Sequence, residues 1–391
     1  YDNFPDADTL HAFRPEMGVK DVYSRIQITG NVMRAAAMGD VAAWAAPLAK
    51  QLETSRTQLQ KNLARKAYTG IEDVMGKISQ AYETAGANML TLYGRNARTS
   101  AANSWWNFGA HYLRAGMRIW FTAANDADGD PQATMPAYGD AGVVYITDNG
   151  IDTSDPDNPT VTLSGDPTPF GTAGNATNAY IIPLGSRRAN VQDGDTSVKE
   201  SEYATFNGLA NLLDDGSKMD AIYTLAKSTH PTLQGRRSTK NGVQTPFDEL
   251  EVDYAVDSIS DEGTGTEPDK LLGHRATRRE VVKSMRANRQ MPPVLSEQGY
   301  KRLAHQSGDS QLPYMVDVDC PPGMFWVLDS SKGGWLSQSN LGPLDTGDSR
   351  WVNGKDAKDV LMHMSGNAYD EAPYASGSIE DIAFLTNGLT A

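Results

Sequence analysis

The sequence predicts an α+β fold, on three observations. An apolar stripe at helical spacing runs through residues 40–70, short alternating and apolar runs bounded by turn residues fill the middle, and helical patterning returns at 200–213 and 277–289 before a strand-like end. The length, 391 residues, suits two or three structural units. With 39% hydrophobic and 21% charged residues, and aromatic side chains along its whole length, the chain has the composition of a folded protein.

Residues 1–38 read as an arm, with one strand in the alternating run 22–28. From Asp40 the apolar residues Val41, Trp44, Leu48, Leu52, Leu59 and Leu63 recur at three, four or seven positions, which places them on one side of a long helix. Asp40 is placed to cap its start and Gly70 to end it. A helix of this span is a rod of roughly 42 Å. Pro47 marks its first turn or a kink. The other side carries Lys50, Glu53, Arg56, Gln60, Lys61 and Arg65, expected to be solvated or to lie against another subunit.

Residues 71–104 continue the helical pattern through Ile71, Val74, Ile78 and Tyr82, broken by Gly86 and Gly94. The texture then changes. Residues 113–121 read as a turn into a strand, 142–147 and 160–163 as strands, and 152–159 and 165–174 as turn-rich excursions. In the helix expected at 277–289, Thr277 and Glu280 have capping-box spacing, and Pro292 and Pro293 stop it. A shorter helix is expected at 297–305, and strands at 360–364 and 379–385.

Composition excludes several functions. The 49 acidic against 35 basic side chains give a net charge of −14, which argues against a general nucleic-acid binder because phosphate contacts need a basic face. The lone Cys320 cannot form an intrachain disulfide, which fits synthesis in a reducing compartment. The longest apolar stretch, 41–49, falls short of the roughly 18 residues a membrane helix needs, so no membrane partner is expected. The start, Tyr1 to Asp6, has neither the basic end nor the apolar core of a signal peptide.

The chemistry-bearing motifs are decoys. There is no P-loop, HExxH, GxSxG or CxxC, and the histidines at 11, 111, 230, 274, 305 and 363 are dispersed, so neither enzymatic activity nor a cofactor is expected. Asp126, Asp128 and Asp130 with Gly129 imitate the opening of a calcium loop. Position six is however Pro131 and position twelve Ala137, so the stretch reads as a polar turn and no metal is expected. The pair Gly263 and Gly265 lacks the strand and helix of a phosphate cradle.

Two clusters remain as candidate interface residues. Arg275, Arg279, Lys283 and Arg286 share one helical face, flanked by Arg278 and Arg289. In so acidic a chain their specific partner would be an acidic surface on a neighbouring copy, against the blander reading of a solvated face. The aromatic run Trp105, Trp106, Phe108 and Tyr112 suggests a stacking platform, although core or subunit packing is the commoner use.

The order of elements carries more than any motif. The helix at 40–70, the turn and strand at 113–119, the run 201–209 (Ser-Glu-Tyr-Ala-Thr-Phe-Asn-Gly-Leu), the stretch 268–291 and the ending 360–385 with Pro373 and Gly377 together resemble the major capsid proteins of tailed bacteriophages, with the Hong Kong 97-like fold. The resemblance implies an N-terminal arm and extended loop at 1–38, a peripheral domain at 39–121 with the spine helix at 40–70, a β-rich insertion at 122–189, an axial domain at 190–345, and a return strand of the peripheral domain at 346–391. It further implies a virion protein made in the host cytoplasm, assembling with itself as pentamers and hexamers of an icosahedral shell around double-stranded DNA held without specific binding. Scaffold, portal and decoration proteins are the other partners it brings. The alternatives are a tail or decoration subunit, against which the long helix counts, and a carbohydrate-active protein using Trp105, Trp106 and dispersed carboxylates.

Overall fold

The computed structural model describes residues 17–29, 41–70, 73–80, 88–94, 108–122, 144–155, 157–165, 180–183, 206–217, 221–223, 225–240, 243–262, 267–287, 294–295, 301–302, 304–307, 310–343, 350–351 and 357–384. Helix α1, Val41–Thr69, forms where the apolar stripe placed it. Gly70 follows it with φ +68°, the left-handed conformation that ends helices and that glycine adopts without a Cβ penalty. Leu59 and Tyr68 are buried, while Glu53, Arg56, Gln60 and Lys61 are exposed. Arg65 departs from that pattern: it is buried.

After α1 the chain builds a closed barrel, in the order β2 (Gly76–Gln80), β3 (Met89–Leu92), β6 (Thr160–Leu163), β5 (Val144–Asp152), β4 (Arg118–Thr122) and β7 (Tyr180–Pro183). The helical pattern expected over 71–104 is therefore overturned where it is described. Val74 and Ile78 are buried because they line the barrel, whose long-range strand pairing overrides the local period. The barrel also crosses the boundary expected at 121–122, since β2 and β3 lie before it, β4 runs across it and β5, β6 and β7 lie after it. Its interior holds Val74, Ile78, Leu90, Leu92, Ile119, Val144, Ile146, Val161, Leu163 and Ile181, all essentially without solvent exposure.

The next unit is a six-stranded sheet in the order β10 (Arg236–Ser238), β20 (Gly377–Ile379), β16 (Phe325–Leu328), β11 (Lys270–Gly273), β15 (Ser310–Val316) and β14 (Ala304–Ser307). The small hairpins β8 (Ala221–Ile222) with β9 (Leu225–Ala226) and β12 (Val294–Leu295) with β13 (Lys301–Arg302) lie apart from it. Strands β13 and β14 stand where a helix at 297–305 was expected. His305 instead pairs across β14 and β15 with Leu312.

Alternation along β16 sorts the two faces of the sheet. Phe325 and Val327 join a core with Leu271, Leu312, Tyr314 and Ile379, while Trp326 faces the core that the barrel shares. The first face is covered by α3, Glu249–Glu262, through Val252, Ala255, Val256 and Ile259. Val281 of α4, Arg275–Ala287, joins the same core. The short α2, Leu209–Leu212, is all that is helical among the described part of 200–213.

A third sheet joins the two ends of the chain. The fourteen-residue β19, Ala357–Asp370, lies between β1, Lys20–Thr29, and β17, Gly333–Pro343, with β18, Arg350–Trp351, beside its start. Strand β1 pairs with β19 along its whole length, from Lys20 opposite Gly366 to Thr29 opposite Ala357. The strand expected at 22–28 and the one at 360–364 are thus partners, whereas the strand expected at 379–385 is not formed over 380–384: β20 ends at Ile379, and beyond it Ile382 makes only an isolated bridge to Thr245.

Candidate assembly surface

The last turns of α1 enter a buried polar junction that fixes the units against one another. Arg65 donates to Asp73 through Nη2 at 3.1 Å and Nε at 3.3 Å, and the Lys66 ammonium lies 3.5 Å from the other carboxylate oxygen. Asp73 is fully buried, so two cations and the Thr69 hydroxyl replace its water. Burial holds the Lys66 ammonium below its ordinary range, with Asp73 opposing that shift and Arg65 adding to it. Lys66 also sits 5.7 Å over the Phe206 ring.

A chain of three asparagines crosses this helix end. Asn211 Oδ1 accepts from the Gly208 N–H at 2.6 Å, and Asn211 Nδ2 donates to Asn207 Oδ1 at 3.0 Å. Asn367 Oδ1 accepts from the Asn207 N–H at 2.7 Å, and Asn367 Nδ2 donates to Gly18 O at 2.7 Å. Three separate segments are therefore bonded through buried amides: α2 with the loop before it, β19 and the arm before β1. The buried Lys227 holds the other end of α2, donating to Asn211 O at 2.9 Å and Asp214 O at 2.8 Å.

The loop 317–323 is a second tie point. Tyr68 of α1 donates to Asp317 Oδ2 at 2.6 Å, and Tyr112 beside the barrel donates to Asp319 O at 2.8 Å. The Gly323 N–H donates to Thr277 Oγ1 of α4 at 2.9 Å. Thr277 is thereby taken from the capping role its spacing suggested. The cap is His274, whose Nδ1 accepts from the Ala276 N–H at 3.1 Å. That bond needs a neutral ring. Burial, then the charges of Arg275 and Arg279, push His274 down to about 4.

The outer faces of the two helices on the six-stranded sheet are opposite in charge. On α4, Arg275, Arg278, Arg279 and Lys283 are exposed while Ala276, Thr277, Glu280 and Val281 are buried. Lys283 turns back to Glu280 at 3.0 Å; the three arginines make no ion pair or side-chain hydrogen bond among the described residues. On α3, Asp257, Leu250 and Tyr254 are exposed, the last two at 58% and 69%. Glu251 is paired with Lys240, and Asp253 Oδ1 accepts from His305 Nε2 at 2.8 Å. No base occurs anywhere in α3.

Arg275, Arg279 and Lys283 therefore share an exposed face, and Arg286 lies in the same helix. Arg289, Trp105, Trp106 and the triplet Asp126, Asp128 and Asp130 lie outside the described residues. Phe108 and Tyr112, from the same aromatic run, are buried and meet edge to face at 5.1 Å. The sequence reading missed α3, although Val252, Ala255, Val256 and Ile259 carry the i, i+3, i+4, i+7 signal. It also missed the asparagines, for which no sequence signal exists. Among the described residues no cluster of histidine, cysteine and carboxylate groups is arranged to hold a metal ion. No described helix is long and apolar enough to cross a membrane.

No protein-family model and no curated protein sequence matches the chain. Solved structures do match. The chain is similar to capsid-shell proteins. An encapsulin chain from the holo-SrpI complex of Synechococcus elongatus is 19% identical, with a TM-score of 0.30 over 48% of this chain and 61% of that one. The capsid asymmetric unit of cyanophage A-1(L) gives 14% identity and a TM-score of 0.34 over 48% of this chain and 62% of that one. The procapsid of satellite phage P4 gives 11% identity and a TM-score of 0.25 over 45% and 58%. The matched part thus spans less than two thirds of each of these chains.

Proposed function

We propose that the chain is a major capsid protein, the repeating subunit of a closed Hong Kong 97-like shell that assembles as pentamers and hexamers around double-stranded DNA. The observation that carries this reading is the long helix whose last turns are clamped and whose polar side chains just before them stand exposed. α1 has 29 residues; its last turns are clamped through Arg65, Tyr68 and Gly70, while Glu53, Thr54, Arg56, Thr57, Gln58, Gln60, Lys61 and Asn62 are exposed before them. A helix of this length gains little stability from its own propensity and needs apolar cover along its body, which neighbouring copies supply in a shell.

The sheet made by β1, β17 and β19 supports the same reading, because it ties an N-terminal arm to the far end of the chain in one long extended element. In this arrangement β1 and the residues before it serve as arm and extended loop, α1 as the spine, and the six-stranded sheet with α3 and α4 as the axial unit. The net charge of −14 then lets packaged DNA lie against the wall without adhering to it. Scaffold, portal and decoration proteins are the further partners of such a shell.

Electron microscopy of the purified protein tests the proposal. Closed shells, or rings of five and six, are expected. A compact monomer at every concentration would overturn it.

A further inference from the structure

Building on the shell reading, we infer that the basic face of α4 docks on the acidic face of α3 in a second copy of this chain, as a head-to-tail contact. Helix α4 carries five basic residues and one acid, whereas α3 carries six acids and no base. Both helices cover the same face of one sheet through Val281 on one side and Val252 and Val256 on the other. Despite that shared layer, no ion pair joins them among the described residues, and Arg275, Arg278 and Arg279 stand exposed with no acidic partner there.

The acidic face has what an arginine cluster needs. Leu250 and Tyr254, one turn apart and exposed at 58% and 69%, offer an apolar and aromatic surface for guanidinium planes and their stems. Asp257 lies beside them, with Glu249 partly exposed at the start of the helix. Like faces repel, so basic against basic and acidic against acidic are both excluded, and each copy uses one face of each sign. A contact of this kind repeats from copy to copy, as a ring requires. Packaged nucleic acid is the poorer occupant, because three arginines on a chain of net charge −14 face a long-range repulsion from phosphate.

Charge reversal separates the outcomes. The R275E/R278E/R279E variant is expected to lose at least tenfold of its assembled fraction by sedimentation, and E249K/D257K to lose a similar amount. Mixed in equal amounts, the two are expected to assemble again, in rings of even number, since each contact then joins opposite charges only in alternation. Circular dichroism and melting of the unassembled variants confirm that they fold, and the milder R275Q/R278Q/R279Q, which keeps the side-chain stems, is expected to show the same loss. Assembly of the arginine variants equal to that of the parent would overturn this contact and leave the shell reading standing. Two folded single variants that fail to recover on mixing would overturn it as well. A parent that forms no rings or shells removes the shell reading and the contact together.

Discussion

Asp370 and His274 put opposite slopes on the dependence of stability on pH. Burial raises the Asp370 carboxyl to about 6, opposed by the bond it accepts from the Ala372 N–H and reinforced by Asp329 and Glu371. Between its ordinary value of 3.8 and about 6 the folded chain binds the proton and the unfolded chain does not, so stability falls as pH rises through that window. A shift of this size corresponds to about 3 kcal/mol at pH 7. Asp370→Asn keeps an oxygen for Ala372 and removes the charge. It should melt higher than the parent at pH 7, with the difference fading towards pH 4. His274 behaves the other way. Its folded value of about 4 lies below the ordinary 6.5, so its contribution is complete above 6.5 and is lost as pH falls towards 4. Asn at that position keeps an acceptor for the Ala276 N–H, and should flatten the acid limb of the melting curve. A His274→Asn profile that follows the parent between pH 6.5 and 4 would refute this assignment. Neither shift was legible in the sequence, because burial is the first cause of each and only the fold decides which side chains are buried.

At the scale of elements, the crossing of α1 and the loop before α2 is the closest backbone contact of the junction. A Cβ on Gly208 would lie 2.4 Å from Lys66 O and 2.7 Å from Gly70 N, both backbone atoms that cannot swing aside. Gly208→Ala should therefore cost about 3 kcal/mol by forcing the loop off the helix end. It should also speed hydrogen exchange at the Asn211 and Leu212 amides, which bond to Gly208 O at 3.1 and 3.0 Å. Exchange there equal to the parent's would show that the contact yields without cost. Helix α1 was readable to within one residue, because its apolar stripe, its start at Asp40 and its stop at Gly70 are local signals. The burial of Arg65 was not, since nothing near it in sequence announces that Asp73, eight residues on with φ +50°, turns back to meet it.

For the whole molecule, the barrel decides what the middle of the chain is for. Residues 122–189 read as an insertion on a complete domain, yet β5, β6 and β7 supply half the barrel's strands, and Val144, Ile146, Val161 and Leu163 lie in its core. Because Thr122 stands opposite Tyr180 in the β4–β7 pair, residues 123–179 can be excised and the ends rejoined by a short turn. A dispensable insertion would leave a soluble chain that melts cooperatively. The barrel instead predicts an aggregating or molten product, since β3 and β4 lose partners and several large apolar side chains lose their cover. Soluble, cooperatively melting protein after this excision would refute the barrel as a folding unit.

The sequence by itself determined the class, α+β, the long first helix, the basic helix within two residues at its start and end, and the pairing-ready strands at both ends of the chain. Each of these is written in spacing of three to four, alternation, or a stop signal, which act within a few residues of one another. Tertiary structure alone decided that Val74 and Ile78 line a barrel rather than a helix face, and that residues 301–302 and 304–307 are strands. It also decided that Asn207, Asn211 and Asn367 join three distant segments, and that an acidic helix stands on the same sheet as the basic one. Strand partners, buried amide chains and facing charges are set between residues far apart in sequence, where a local pattern carries no information about what it will meet.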